Sequence, residues 1–453
     1  MLLLALGCSP DSPEVPAPRP PDVLLVVLDT TRSDALSAYG NPRPTSPQLE
    51  AVARAGVRFA DVTSPAPWTW PVHASLFTGE EPWRHGAHSA ADPEAPEGGA
   101  RLQLTAVDPS LPTLAERFTA AGYTAVSISA NRLIVPELGL TRGFEHAVFD
   151  PEDDEVVRQA GSAMAGVDGP LLLFVNLMGA HQPWAVWPVS WVDQQVLARP
   201  SLAPAVRKGR LRFANREAAN ALSVEEQFVA GQLPLSPADL QALRGVYEGE
   251  VAKVDHRLNA LLTAWKASGR SGVVAITADH GEAIGEHGQI GHHHQLYDEL
   301  VQVPLVLAGE GVPVGEVVDT PVGLTRLHDT LLELAGLDGP DSLLRPEARP
   351  RPVLSAVWPE AGWKESLGDG WGQGSRFYRE EDLAVLYRDD GSLELYDLAT
   401  DPDMLVDLAG ARPEEAAALQ ARAREAFGVE VTGPLVDRRS DALEQLRALG
   451  YAQ

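Results

Sequence analysis

Nearly continuous apolar runs alternate with amphipathic stretches along most of the chain. The runs are rich in leucine and β-branched residues, and they include "DVLLVVLD" (22–29), "TAVSISA", "GPLLLFVNLM", "GVVAITAD" (272–279) and "VPLVLAG". Helical patterns lie between them, such as "SPQLEAVARAGVRF", which starts at a Ser/Pro cap. Continuously apolar strands that alternate with helices predict an α/β fold, in which a mixed, largely parallel sheet is sandwiched by helices.

Three segments depart from this alternation. Residues 1–21 carry a Pro-rich, acidic stretch without apolar periodicity, and from about 185 to 235 the pattern loosens, which predicts an insertion near the rim of a site. After about residue 345, a Pro/Arg-rich linker leads to "FYREEDLAVLYRDDGSLELYDLATDP", where "DG" between alternating runs predicts a hairpin. We therefore predict a main domain over 22–345 and a small C-terminal α+β subdomain over 346–453.

The N-terminus resembles a bacterial lipoprotein signal. A short apolar run ends in Gly7-Cys8 and is followed by the tether-like segment, and Cys8 is the only cysteine in the chain. The run is short and lacks a basic region, so a disordered N-terminus with an incidental cysteine is the alternative. The lipoprotein interpretation predicts a protein of the cell envelope, anchored to the membrane through this lipid alone.

The net charge of the chain limits the classes of partner that it can bind. The formal net charge is −27 over 453 residues, which argues against nucleic-acid binding through a basic surface. An acidic chain that handles an anionic substrate needs strong local positive charge, and a metal ion is the simplest source.

Polar residues with metal-binding chemistry stand at the ends of predicted strands. Asp29 and Asp279 each end an apolar run, His280 follows the second of them, and Thr69 lies near a predicted helix start. Because ligands gather at the carboxyl ends of parallel strands, these four residues are expected to meet in one crevice. Three oxygen donors and one nitrogen suit Ca, Mn, Mg or Zn. The purely structural alternatives are a turn-capping role for Asp279 and a helix N-cap role for Thr69, with the helix beginning near Pro71.

Five stretches, in order, resemble the landmarks of the sulfatases within the alkaline phosphatase superfamily. They are "VVLDTTRSDALSAYG", "PTSPQLEAVARAGVRFADVTSPAPWTWPVHASLFTGEEPWRHG", "ITADHGEAIGEHG", "LYDELVQVPLVLAG" and "ELYDLATDPDMLVDLA". The resemblance spans about residues 22–410. It implies an alkaline phosphatase-like α/β sandwich, a divalent metal, and hydrolysis or transfer of a sulfate or phosphate ester.

The resemblance also assigns roles to single positions. Asp29, Asp279 and His280 are similar to the family's metal ligands, with Thr69 as a fourth ligand and nucleophile, and His181 is similar to a substrate-binding histidine. From these positions we predict two groups of residues: catalytic Thr69, His73, His181 and His293, and substrate-binding Arg32, His181 and His292.

Several positions differ from the sulfatase pattern. The nucleophile motif Cys/Ser-x-Pro-x-Arg reads Thr69 to His73 here, so no residue at that position can become formylglycine. The family's second aspartate is Thr30, and His292 to His294 stand where a lysine is expected. Threonine is the nucleophile in the nucleotide pyrophosphatase/phosphodiesterases and lipoteichoic acid synthases, which this metal and nucleophile set resembles.

These differences from the sulfatase motif favour a phosphorus ester over a sulfate ester as the substrate. Formylglycine lets a covalent sulfate leave by collapse of a hemiacetal, whereas a phosphoryl-threonine can be hydrolysed by metal-assisted in-line attack. We therefore predict a metal-dependent hydrolase of sulfate, phosphate or phosphonate esters, with phosphorus esters favoured and without formylglycine. Its substrate would be an anionic ester of a small molecule, glycan or lipid headgroup. The alternatives are a catalytically inactive surface binding protein and a phosphoglycerol-type transferase.

Overall fold

The computed structural model describes residues 19–91, 102–214, 221–292, 295–345, 351–359, 367–368 and 371–436. Cys8, most of the predicted tether over 1–21, and His293 lie outside the described residues. No helix in the described ranges is both long enough and apolar enough to span a membrane.

The chain alternates between strands and helices, as the apolar pattern predicts. The strands are β1 Asp22–Leu28, β2 Gly56–Phe59, β3 Val62–Thr63, β4 Ser89–Ala91, β5 Leu102–Leu104, β6 Thr124–Ser129, β7 His146–Phe149, β8 Leu171–Leu177, β9 Val206–Arg207, β10 Arg210–Leu211, β11 Gly272–Thr277, β12 Ala283–Ile284, β13 Ile290–Gly291, β14 Leu305–Gly309, β15 Glu316–Val318, β16 Val322–Gly323, β17 Val353–Val357, β18 Ser375–Glu380, β19 Leu383–Arg388 and β20 Leu393–Asp397. The α-helices are α1 Pro47–Arg54, α2 Thr69–Thr78, α3 Pro82–His85, α4 Leu114–Ala120, α5 Asp153–Gly166, α6 Val224–Val229, α7 Pro237–Ala267, α8 Asp298–Val301, α9 Leu327–Leu334 and α10 Pro413–Phe427.

An eight-stranded sheet forms the centre of the main domain. Its strand order is β15-β2-β14-β11-β1-β8-β6-β7. The strands from β11 to β7 run parallel, whereas β14 is antiparallel to both of its neighbours. The predicted mixed, largely parallel sheet is therefore confirmed.

Both faces of the sheet are covered, which explains the continuous apolar runs. Along β1, Val23, Leu25 and Val27 enter one core with residues of α2, α4 and α9. The alternate positions, such as Leu24 and Val26, enter a second core with residues of α5 and α7. Because side chains alternate between the two faces of a strand, a strand buried on both sides must be apolar at every position.

A separate antiparallel sheet forms the C-terminal part. Its order is β17-β18-β19-β20, α10 packs on it, and the predicted hairpin is present, with Asp390-Gly391 at the turn between β19 and β20. The chain then returns to the main domain, where the Val431 N–H donates to the Trp83 carbonyl and the Val436 N–H to that of Leu104. The described part of the predicted insertion contains β9, β10 and α6, and it packs against the α7 side of the sheet.

Candidate active site

Four neighbouring strands, β11, β1, β8 and β6, bring polar side chains to one edge of the sheet. β1 and β11 are parallel with Val27 opposite Thr277, so Asp29 and Asp279, each two residues further on, emerge side by side. Asn176 lies in β8 opposite Val27, and Asn131 follows the end of β6. The register of a parallel sheet therefore assembles this cluster from residues that are distant in sequence.

Asp29, Asp279 and His280 form a group that can hold a metal ion. One ligand atom from each of them lies within 4.8 Å of the others, and all three side chains are fully buried. Asp279 Oδ2 has no hydrogen-bond partner among the described residues, and it lies 3.5 Å from His280 Nε2. Buried carboxylates without partners are costly unless a positive charge balances them, so the geometry fits a divalent cation.

The protonation of these groups also fits a cation. His280 Nδ1 lies 2.9 Å from the Gly281 carbonyl and donates to it, so Nε2 keeps the lone pair that a metal ligand needs. Burial lowers the pKa of His280, which keeps the ring neutral near pH 7. Burial and the neighbouring charge of Asp29 raise the pKa of Asp279 to about 7. Burial acts to raise the pKa of Asp29 too, but nearby imidazoles and two side-chain amides bring it below its usual value.

Thr30 orients both carboxylates, although it supplies no carboxylate of its own. Its backbone N–H donates to Asp279 Oδ1 at 3.0 Å, and its hydroxyl donates to Asp29 Oδ1 at 2.9 Å. This geometry requires a φ of 56°, which is unusual for a β-branched residue. Tyr247 of α7 supports the strained turn, since its hydroxyl donates to the Thr30 carbonyl and accepts from the Arg32 N–H, both at 2.9 Å.

Thr69 is the first residue of α2, and its hydroxyl faces the carboxylate cluster. Its Oγ1 lies 3.5 Å from His280 Nε2 and accepts a hydrogen bond from Asn131 Nδ2 at 3.2 Å. The N-cap alternative is wrong, because α2 begins two residues before Pro71 and Trp68 occupies the cap position without a side-chain bond. The hydroxyl is therefore held by residues of the cluster rather than by its own helix.

Two asparagines that the sequence analysis did not identify complete the cluster. Asn131 and Asn176 each donate to Asp29 Oδ2, at 2.8 and 3.0 Å, and both are buried. Asn131 also contacts Thr69 Oγ1, so it joins the aspartate to the hydroxyl. A polar residue inside or just beyond an otherwise apolar run, as in "FVNLM" and "ISANR", is the sequence signal for both.

Comparisons with known proteins agree with this geometry. The family model of the sulfatases matches residues 21–337. The chain belongs to the sulfatase family. A curated sulfatase from Formosa agariphila is 23% identical over 435 residues, which cover 84% of this chain and 82% of the relative. The protein is thus a hydrolase of sulfuric or phosphoric esters, and the predicted family is confirmed.

Solved structures share the sulfatase fold. A 2-O GAG sulfatase superposes with a TM-score of 0.67 at 20% identity, covering 90% of this chain and 92% of that one. A phosphonate monoester hydrolase from Agrobacterium radiobacter also gives 0.67 at 20% identity, covering 90% and 95%.

His73 lies behind the cluster of this sulfatase, on the face of α2 that carries Thr69. Its Nδ1 donates to the Thr69 carbonyl at 2.8 Å and lies 3.9 Å from Asp279 Oδ2. The ring is fully buried against Phe174, with centroids 5.7 Å apart, and its Nε2 has no partner among the described residues. These contacts suit a residue that positions Thr69 and Asp279 better than one that touches the substrate.

Two of the predicted histidines stand beside the metal-binding group. The ring of His292 lies 4.5 Å from that of His280 and 5.1 Å from that of His181, measured between centroids. His292 Nδ1 also lies 3.1 Å from Glu282 Oε1. The structure therefore brings His181 and His292 to the cleft, where a proton donor or an anion-binding group is needed.

Arg32 is occupied by other partners. Its guanidinium donates to both carboxylate oxygens of Asp34 at 2.8 Å, to Glu286 Oε1 at 2.7 Å and to the Glu282 carbonyl at 3.0 Å. The side chain is buried. These contacts hold the loop after β1 against the loop after His280. Arg32 therefore positions these loops, rather than contacting the substrate as we predicted.

Proposed function

We propose that this sulfatase cleaves phosphate or phosphonate esters, with Thr69 as the nucleophile and one divalent metal ion held by Asp29, Asp279 and His280. The observation that carries the proposal is the position of the Thr69 hydroxyl, which lies at the metal-binding group with Asn131 as its hydrogen-bond donor. A cation bound there supplies Lewis acidity, which lowers the pKa of a neighbouring hydroxyl and offsets the negative charge of the ester.

Residues of the chain carry out the transfer. The Thr69 hydroxyl passes its proton to the neutral imidazole of His181 or His292 as Oγ1 attacks phosphorus, and the same imidazole then gives that proton to the oxygen of the departing alcohol. Water then gives a proton to the imidazole and attacks phosphorus, the bond between phosphorus and Thr69 Oγ1 breaks, phosphate or phosphonate leaves, and Oγ1 takes the proton from the imidazole. Asn131 holds the hydroxyl through its amide N–H, which keeps the nucleophile in line through both steps.

The choice of phosphorus follows from the nucleophile. The Cβ of threonine carries a single oxygen, so a sulfated threonine has no second hydroxyl on that carbon and cannot release sulfate by the collapse of a hemiacetal, as formylglycine does. Its sulfate ester would need attack by water at sulfur, whereas its phosphate ester can be opened by in-line attack.

The substrate preference can be measured on matched esters. With para-nitrophenyl phosphate, phenyl phosphonate and sulfate esters, we expect kcat/KM for a phosphorus ester to exceed that for the sulfate by on the order of 10²-fold, or about 2.7 kcal/mol in barrier height. If glycerol is added and its hydroxyl accepts the phosphoryl group in place of water, the transferase alternative is correct. Multiple turnovers of the sulfate ester at a similar rate, by protein freed of contaminating sulfatases, would refute the preference.

We also propose that the protein is exported and anchored through a lipid on Cys8, with the Pro-rich segment that follows as a tether. Replacing Cys8 by alanine should move the protein from the membrane fraction of a bacterial host to the soluble fraction, with its activity retained. Fractionation of the unaltered protein with the cytoplasm would contradict this proposal.

A further inference from the structure

A short hairpin formed by β12 and β13 carries residues of the active site at its base. Each strand has two residues, and the pair is antiparallel. Glu282 directly precedes the hairpin and His292 directly follows it, whereas His287 lies in the turn at its tip, with 12% of its side chain exposed. Strands of this length span roughly 7 Å. Contacts of His287 at the tip therefore restrain the base of the hairpin.

Both ring nitrogens of His287 face groups that accept hydrogen bonds. Nδ1 lies 2.9 Å from Glu299 Oε1, and Nε2 lies 3.1 Å from the Met404 carbonyl oxygen. A carboxylate and a carbonyl supply no proton, so both hydrogen bonds form only when the ring carries two protons and a positive charge. The buried His85 differs, because the Ala87 N–H donates to its Nδ1 at 3.0 Å and that nitrogen therefore carries no proton.

The His287 ring stacks on Tyr297, the residue before α8. The two ring centroids are 3.7 Å apart, and the ring planes differ by 7°. The Tyr297 hydroxyl donates to Glu394 Oε2 and accepts from Arg388 Nη2, both at 3.1 Å. Because these two residues lie on β20 and β19, the stack also connects the tip of the hairpin to the C-terminal sheet. A cation over an aromatic face is favoured electrostatically.

Carboxylates on two elements face the His287 ring. Glu299 lies on α8, and Glu286 lies in the same turn as His287. Burial acts to lower the pKa of His287, but the hydrogen bond and charge of Glu299, together with the Met404 carbonyl and Glu286, raise it above the usual 6.5. A histidine with a raised pKa stabilises the fold fully below the unfolded value, and this contribution is lost as the pH rises through the raised value.

The backbone is strained on both sides of the hydrogen bond between His287 and Met404. The angle φ is 48° at His287 and 52° at Met404, in the left-handed region that residues other than glycine seldom adopt. Met404 is buried in a core that the C-terminal sheet shares with Tyr297 and Leu300. Such strain persists where surrounding contacts hold it, and it clusters at clamps and switch regions. Here two strained residues from different parts of the chain meet in one hydrogen bond.

We propose that protonated His287 is a clasp that holds the β12-β13 hairpin against α8 and the C-terminal part, and that it thereby positions His292 for proton transfer. His287 is a positioning residue, since it acts on the reaction only through the hairpin. This inference rests on the proposed function, because His292 is one of the two imidazoles assigned to that reaction. When His287 loses a proton at alkaline pH, one of its two hydrogen bonds is lost, the hairpin loosens and kcat falls.

The protonation of His287 can be read by NMR. In purified protein labelled with nitrogen-15 in its histidines, the His287 signals are those that disappear in His287→Gln. At pH 6.5, where an ordinary histidine is half protonated, we expect both ring nitrogens of His287 to carry protons in most molecules, with one proton lost at higher pH. His85 gives the reference signal of an unprotonated ring nitrogen. A His287 ring that is neutral at pH 6.5 would overturn the clasp.

The effect on turnover can be separated from a structural effect with Glu299→Gln. Glutamine keeps an oxygen that accepts from Nδ1 but removes the charge that favours the imidazolium. We expect the fall of kcat at alkaline pH, measured with a phosphorus ester, to move about one pH unit lower in this variant, while KM changes by less than about twofold. His287→Gln should lower kcat on the order of tenfold at pH 6.5 and remove this fall. His256→Gln removes an exposed histidine of α7 and should leave the profile unchanged.

A fall of kcat that stays at the same pH in Glu299→Gln, or that survives His287→Gln, would contradict the positioning role. Glu299→Gln carries this test by itself if His287→Gln does not fold. Lack of turnover of every phosphorus ester by the native enzyme would instead refute the proposed function and, with it, the role of His287 in turnover. The NMR measurement would still decide whether the clasp exists, so the two failures are distinguishable.

Discussion

Replacement of Thr69 by alanine is expected to lower kcat on the order of 10⁴-fold or more while the fold stays intact. The hydroxyl is the group that we propose attacks phosphorus, and removal of a nucleophile abolishes the covalent route. Stability should change little, since the hydroxyl caps no helix and its described partners are Asn131 and His280. Thr69→Ser keeps the hydroxyl and should retain much of the activity. Steady-state kinetics and thermal unfolding of the three proteins would measure both effects.

Thr78→Ala is the matched control for this substitution. Thr78 ends the same helix and is also buried, but its hydroxyl donates to the Ala74 carbonyl at 2.7 Å, far from the cluster. Its loss should leave kcat within about twofold, as expected for a residue outside the catalytic machinery. Comparable activity losses in the Thr69 and Thr78 variants would show that the effect is structural and not chemical.

Replacement of Asp279 by asparagine should abolish binding of the divalent ion and reduce kcat/KM by on the order of 10²-fold or more, since even outer residues of metal sites matter at that level. Elemental analysis of purified protein measures the first effect. Asp255→Asn is the control, because Asp255 is also buried but accepts the backbone N–H groups of Gln48 and Leu49. It should lower stability and keep the metal. Full metal content in the Asp279 variant would contradict the assigned ligand set.

In the metal-free protein, Asp279→Asn should change how the stability of the fold depends on pH. The pKa of Asp279 is raised from 3.8 to about 7 in the fold, by burial and by Asp29. A carboxyl with a raised folded pKa favours folding when it is protonated, so stability falls as pH rises from about 4 to 7, by at most about 4 kcal/mol. Asp29 has a lowered pKa, and its contribution changes below pH 4 instead. After chelation, the free energy of urea unfolding of the native protein should fall as the pH rises from about 4 to 7, and that of Asp279→Asn should change less.

The sequence predicts the position of the metal-binding group because strand ends are local features. Asp29 and Asp279 both terminate apolar runs, and parallel pairing in register forces their side chains together. The Asp-Gly hairpin is likewise a local signal, and it is confirmed between β19 and β20. Fold class and the main residues of the site were accessible for this reason.

Contacts between residues that are distant in sequence could not be predicted from such local signals. Arg32 binds Glu286, 254 positions away, and no local pattern distinguishes that ion pair from a substrate contact. Asn131 and Asn176 gain their importance only when the sheet places β8 and β6 next to β1, so that both amides donate to Asp29. The start of α2 at Thr69 also depends on tertiary structure, since the buried Trp68 and Trp70 rings pack 5.6 Å apart on either side of it.

The stereochemical course at phosphorus tests the central claim most directly. Each in-line displacement inverts phosphorus, so attack by Thr69 followed by attack by water gives overall retention. A phosphate ester made chiral with oxygen isotopes and sulfur can be hydrolysed by the native enzyme, and the configuration of the product read by NMR. We expect retention of configuration. Inversion would show that water attacks the ester in a single step and that Thr69 is not the nucleophile.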